Sequence, residues 1–178
     1  SMVGVDDRAA AYQAVSYLIQ QGHRKIAVLG GPATSHPSMM RRQGAQQAME
    51  DAGIRFEDKL YGLSNYDFES AYHAMNGLLA RRAEFTALFA MSDVIAFGAI
   101  RALVSAGLRV PEDVSVIGFD GITMSRYCVP VMTTIVQPSE QIALQSIELL
   151  VRQIEHGTPA QTVTLQPELQ QGESVRAI

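Results

Sequence analysis

The chain reads as an α/β domain in which a parallel sheet carries helices on both faces. Three observations carry that expectation. The hydrophobic period switches repeatedly between helical and strand-like spacing, with Gly, Pro and Asp at the switches. Residues 86–90 and 114–119 are uninterrupted apolar runs of strand length, the signature of strands covered on both faces. The connections between strands and helices are short, which favours right-handed crossovers in a parallel sheet.

In chain order, the first helix is expected over 7–21. Ala11, Val15, Leu18 and Ile19 fall at i, i+4, i+7 and i+8, Asp6 can cap the start, and Gly22 can stop it. A strand over 25–29 is broken by Gly30-Gly31-Pro32, and a helix over 38–52 is ended by Gly53. A short strand near 59–63, a helix over 68–82, the apolar strand 86–90, a helix over 93–106 closed by Gly107 and the apolar strand 114–119 follow. Residues 133–137 are β-branched and strand-like. Residues 139–156 are amphipathic, with Ala143, Ile147, Leu150, Val151 and Ile154 on one stripe, and 162–165 is expected as the last strand.

The 178 residues suffice for one well-buried domain, and 47% hydrophobic with 18% charged residues is ordinary globular composition. Fourteen Lys+Arg against eighteen Asp+Glu give a net charge of -4, so this piece alone is not expected to grip nucleic acid. One cysteine, Cys128, permits no internal disulfide. With no secretory-leader pattern and no long apolar run, the expectation is a soluble, cytoplasmic protein without membrane contact. Ser1-Met2 reads as the remnant of a cleaved tag joined to an internal start, with native sequence upstream removed.

In parallel sheets, ligands bind at the carboxyl ends of the strands. Those ends are 30–37, 64–67, 91–93 and 120–125, which hold most of the polar residues not on helix surfaces. No G-x-S-x-G elbow, phosphate loop, G-x-G-x-x-G fingerprint or metal-spaced Cys/His cluster is present, so no catalytic residue, cofactor or metal is expected. Of His23, His36, His73 and His156, only His36 lies on the binding edge. Arg41 and Asp120 stand out there: a planar fork of donors and an acceptor-only carboxylate can hold vicinal hydroxyls from both sides. The spacing equally allows Arg41 as a solvated neighbour of Arg42 and Asp120 as a turn cap. Tyr66 could cover an apolar ring face or simply pack, and Ser92 and Asp93 read as N-cap and first-turn charge.

Five strings now resemble one family throughout: Gly22-His23-Arg24-Lys25-Ile26; Arg41-Arg42-Gln43-Gly44; Ser92-Asp93 with Ala96 and Gly98; the run from Val110 to Asp120; and Thr133-Thr134-Ile135 with Gln137-Pro138. The family is that of the lac repressor and galactose repressor. The resemblance covers residues 3–174 and implies a core of two α/β lobes behind a helix-turn-helix headpiece, with a small-molecule effector between the lobes. On that likeness residues 1–2 are the tag remnant and 3–137 form a periplasmic-binding-protein-like C-terminal lobe. Residues 138–160 are then a crossover helix of N-terminal-lobe type, and 161–178 are the return strand and C-terminus.

The resemblance implies Arg41 and Asp120 as effector contacts, Tyr66 as the aromatic against the ligand ring, Ser92 where many sugar-sensing members have Asn, Gln137 near the cleft, and Ser35 on the same edge. Ser92 and Ser35 are not the residues of the purine-sensing branch, which disfavours a purine, and the Arg41–Asp120 pair makes a sugar or sugar derivative the expected effector. Gly172 stands where the family commonly has Arg before Glu173-Ser174, which puts the contacts of the final strand in question. The implied protein is a homodimeric repressor that meets operator DNA through its missing headpiece. A periplasmic sugar-binding transport receptor is the alternative, and an α/β enzyme a third. Removing Arg41 or Asp120 is expected to weaken effector binding and leave stability nearly unchanged.

Overall fold

The computed structural model describes all of residues 1–178. Eight strands and five helices follow one another: β1 (Met2–Val5), α1 (Asp7–Gln20), β2 (Ile26–Gly30), α2 (His36–Asp51), β3 (Tyr61–Leu63), α3 (Phe68–Ala80), β4 (Ala87–Ala90), α4 (Asp93–Ser105), β5 (Ser115–Asp120), β6 (Thr133–Val136), α5 (Ser139–His156), β7 (Thr162–Leu165) and β8 (Glu168–Gln170). Single 3-10 turns precede β3 at Asp58–Leu60 and follow β5 at Thr123–Arg126.

Six strands form the main sheet in the order β3-β2-β4-β5-β6-β8. All neighbours run parallel except β8, which pairs antiparallel with β6. The chain steps from β2 outward to β3, then back across β2 to β4 and on to β5. With right-handed crossovers this reversal sets α2 on one face and α3 and α4 on the other. The packing of α1 on α2 and of α3 on α4 follows that division. Because both faces are covered, β2 and β4 are buried at every residue. One cluster of 32 buried apolar residues fills both sides, with Phe89, Phe119 and Leu29 among its largest members.

The helix starts agree with the chemistry of their caps. Asp6, Ser35, Asp67 and Ser92 each accept a backbone N–H from the first turn of α1, α2, α3 and α4. Two features depart from the sequence expectation. Residues 162–165 are not the last strand, since β8 follows and extends the main sheet, and Met2–Val5 forms a strand paired in parallel with β7. Met2, expected only as a tag remnant, is the first residue of that strand.

β1 and β7 make a separate two-stranded sheet, against which α5 lies. Leu149 is the one buried residue of α5, while Ile147, Leu150, Val151 and Ile154 of its apolar stripe are exposed.

The C-terminal segment closes the main sheet. Ser174 is fully buried, its backbone carbonyl accepts the Val116 N–H, and its hydroxyl donates to the Val116 carbonyl while accepting the Thr133 N–H. Gly172 explains its own departure from the family pattern, because a Cβ there would lie 2.5 Å from the Val131 carbonyl oxygen and 2.6 Å from the Met132 carbonyl carbon. An arginine could not approach β6 so closely. His23 is buried between the Thr86 hydroxyl, 2.9 Å from Nδ1, and the Arg176 carbonyl, 3.1 Å from Nε2, and burial lowers its pKa. The Gly22-His23 string thus clasps the tail to the amino ends of the strands, opposite the binding edge.

Candidate functional site

The chain reverses direction between β2 and β4, and in a parallel sheet such a reversal opens a crevice at the carboxyl ends of those two strands. Arg41, one turn into α2, reaches into it. The Arg41 side chain is only 7% exposed, and its guanidinium is held on several sides. Nε donates to Asp7 Oδ1 at 2.7 Å, Nη1 donates to the Met91 carbonyl at the end of β4, and Cζ lies 3.6 Å above the Phe119 ring centroid. Asp120, the last residue of β5, brings Oδ1 to 3.5 Å from Arg41 Nη1. The same oxygen accepts a hydrogen bond from Gln137 Nε2 at 2.7 Å. Arg41, Asp120 and Gln137, three residues on different elements, therefore meet in one group.

Electrostatically the group is mixed. Burial raises the pKa of Asp120, and nearby Arg41 and Gln137 pull it back down. Asp7, at the start of α1, is the closest ionic partner of Arg41. The pairing has no sequence signal, because it depends on how α1 packs across α2. Truncating Arg41 would leave Asp7 without its ion pair and open a gap beside Phe119, so the geometry predicts a loss of stability where the sequence reading expects little change.

The other expected residues are placed differently. Ser92 is buried, and its hydroxyl accepts the Ile95 N–H at 3.1 Å as the cap of α4. Ser35 caps α2 through the Ser38 N–H. Tyr66, with φ of 60°, lays its ring against Gly31, and its hydroxyl is buried without a hydrogen-bond partner. In this conformation it packs on the end of β2. Asp93 stands in the first turn of α4, as expected, and is fully buried there.

A cavity of about 460 Å³ lies between the two-stranded sheet and this edge. Val3, Val5, Asp7, His36, Arg41 and Gln137 are among its walls, while Asp120, Tyr66, Ser92 and Ser35 are not. Fixed donors and acceptors beside apolar β1 side chains can orient a small polar molecule. No group of three or more His, Cys, Asp or Glu has metal-holding geometry, and no helix is long and apolar enough to cross a membrane.

Comparison with known proteins agrees with this architecture. Residues 15–175 match the periplasmic binding protein-like domain family. The HTH-type transcriptional regulator MalR of Clostridium butyricum is 38% identical over 174 residues, which cover 98% of this chain and 52% of that protein. Among solved structures, the cellobiose complex of the transcriptional regulator CelR superposes with a TM-score of 0.94 at 35% identity, covering 98% of this chain and 54% of that one. A sugar-binding transcriptional regulator of the LacI family from Escherichia coli, complexed with phosphate, gives 0.88 at 33% identity, covering 98% and 63%. This chain spans about half the length of the curated relatives it matches. Fold, matched residues and named relatives together show that the chain belongs to the periplasmic binding protein-like domain family, on the lac repressor/galactose repressor branch of transcription regulators.

Proposed function

We propose that this chain is the ligand-sensing, non-catalytic part of a cytoplasmic, homodimeric transcription repressor, and that its effector is a sugar or sugar derivative. One observation carries the reading: Arg41 and Asp120 face each other at 3.5 Å on the carboxyl edge, with Gln137 on the same carboxylate. A guanidinium beside a carboxylate suits neighbouring hydroxyls, which donate to one and accept from the other. The CelR complex with cellobiose and the sugar-binding LacI-family regulator support that class of ligand, and the regulator relatives favour this reading over a transport receptor.

In the complete protein, the six-stranded sheet with α1 to α4 belongs to one lobe, and the layer of β1, β7 and α5 belongs to a second. Effector bound between the lobes shifts their relative orientation, and through the dimer this changes the spacing of two headpieces on a palindromic operator.

The test is calorimetry on the complete two-lobed protein with a panel of mono- and disaccharides, cellobiose first, comparing wild type with Asp120→Asn, Gln137→Ala and Arg41→Lys. Hydrogen bonds to charged groups are worth about 1.5–3 kcal/mol, so Asp120→Asn and Arg41→Lys should weaken binding roughly tenfold to a hundredfold with the fold retained. Unchanged affinity in both would remove this group from the site and the case for a sugar with it.

A further inference from the structure

Asp93 opens α4, yet its carboxylate turns away from its own helix and none of it reaches solvent. Oδ2 accepts the Ile122 N–H at 2.8 Å, and Oδ1 accepts the Thr134 hydroxyl at 2.6 Å. One buried anion thus joins α4 to the loop after β5 and to β6. The strand between them leaves room for it, since a Cβ at Gly118 would collide with Oδ1. A carboxylate without water is costly unless its lone pairs are filled, and no cation supplies the balance here. The titratable groups that face it are Asp120 at the end of β5 and Cys128 on the following loop.

The hydrogen bond at Ile122 falls directly after the most unusual backbone of the molecule. Asp120 has φ of 110° and Gly121 has φ of 71°, two left-handed residues in succession. A non-glycine residue stays in that region only where its surroundings over-determine it. Gln137 and Arg41 hold the Asp120 side chain from one side. The Gln137 N–H also donates to the Asp120 carbonyl at 3.0 Å and holds the start of the turn, and Asp93 captures the donor two residues further on.

We propose that Asp93 is a positioning residue for Asp120: by gripping Ile122 and Thr134 it pins the left-handed turn that aims the Asp120 carboxylate at Arg41. As a statement about the site, this rests on the reading that Asp120 contacts the effector. The positioning itself does not depend on which molecule binds.

The experiment therefore uses no ligand. Amide hydrogen exchange and the carboxyl carbon titration of Asp120 are followed by NMR in the wild-type chain and in Asp93→Ala, Asp93→Asn and Thr134→Val. Asp93→Ala should speed exchange of the Ile122 amide by about tenfold relative to the amides of α4, the size of one lost hydrogen bond, and should shift the Asp120 titration midpoint. In Asp93→Asn the carboxamide oxygen can still accept from Ile122 and its NH2 can donate to Thr134, so Ile122 protection should return to near the wild-type value. Thr134→Val, which removes one of the two donors, should fall between wild type and Asp93→Ala. If Asp93→Ala does not fold, the Asn and Val variants carry the same comparison. Unchanged Ile122 exchange and an unchanged Asp120 titration in Asp93→Ala, or in Thr134→Val where the alanine variant is unfolded, overturn the proposal. So does a folded Asp93→Asn whose Ile122 amide is left unprotected. A wrong effector class would fail the calorimetry above and leave these readings intact, so the two failures are distinguishable.

Discussion

The main sheet and the layer of β1, β7 and α5 are built from similar residues and end in opposite situations. Every member of the 32-residue core belongs to the main sheet, its helices or its connections, and β1, β7 and α5 contribute none. The stripe on α5 is as apolar as those of the flanking helices, yet Ile154 is 75% exposed and Ile147 is 61% exposed. Amphipathic spacing decides which face of a helix seeks a partner, and the topology decides whether one is there. A two-stranded sheet backed by a single helix cannot supply it, because so few strands make a marginal unit in water.

Core truncation should separate the two regions most sharply. Phe89→Ala in β4 is expected to cost about 3–5 kcal/mol and Ile154→Ala no more than about 0.5 kcal/mol, read from denaturant midpoints. Equal losses would mean that α5 is folded into the core after all.

Protonation gives the next largest effect. Burial raises Asp93 to about 6, so the ionised form is disfavoured in the folded chain relative to the unfolded one. Its contribution is fully present below about pH 4, the unfolded value, and is lost as pH rises through about 6. Asp93→Asn should therefore gain stability relative to wild type across that window, by about 1–3 kcal/mol at pH 7, and a flat difference between pH 4 and 7 would contradict this. Asp113 has the reverse sign: hydrogen bonding from Arg109 lowers it to about 2, so its contribution is present above its unfolded value and fades as pH falls through about 2.

Association tests the exposed layer directly. The chain should self-associate at high concentration through α5, and the triple variant Ile147→Lys, Leu150→Glu, Ile154→Lys should be monomeric with thermal stability within a few degrees of wild type. A strictly monomeric wild type in light scattering would refute it. The smallest effect is on nucleic acid: with a net charge of -4 this chain should show no sequence-dependent shift of duplex DNA, and a specific complex in a gel titration would count against that.

Legibility in the sequence followed the same divide. β2, β4 and β5 were readable because burial on both faces demands unbroken apolar runs, and Asp6 and Ser92 were readable as caps because that chemistry is local. β1 and β8 were not, since four and three residues without clear alternation take their conformation from partners far along the chain. At the site, Arg41, Asp120 and Gln137 could be named from strand ends and family strings. Asp7 and Asp93 could not: each acts through a side chain crossing to another element, and first-turn acids look alike in sequence whether they face water or a buried N–H.

The C-terminal clasp bears on how the molecule comes into being. Ser174 accepts the Val116 N–H and donates its hydroxyl to the Val116 carbonyl 58 positions earlier, and Arg176 meets His23 across 153 positions. During synthesis from the amino end, the sheet must wait with these seams open until residues 174–176 leave the ribosome, so the nascent domain passes through a stage with unpaired strand edges. Contacts of such long sequence separation form slowly, which gives a chaperone a defined interval in which to act on this chain.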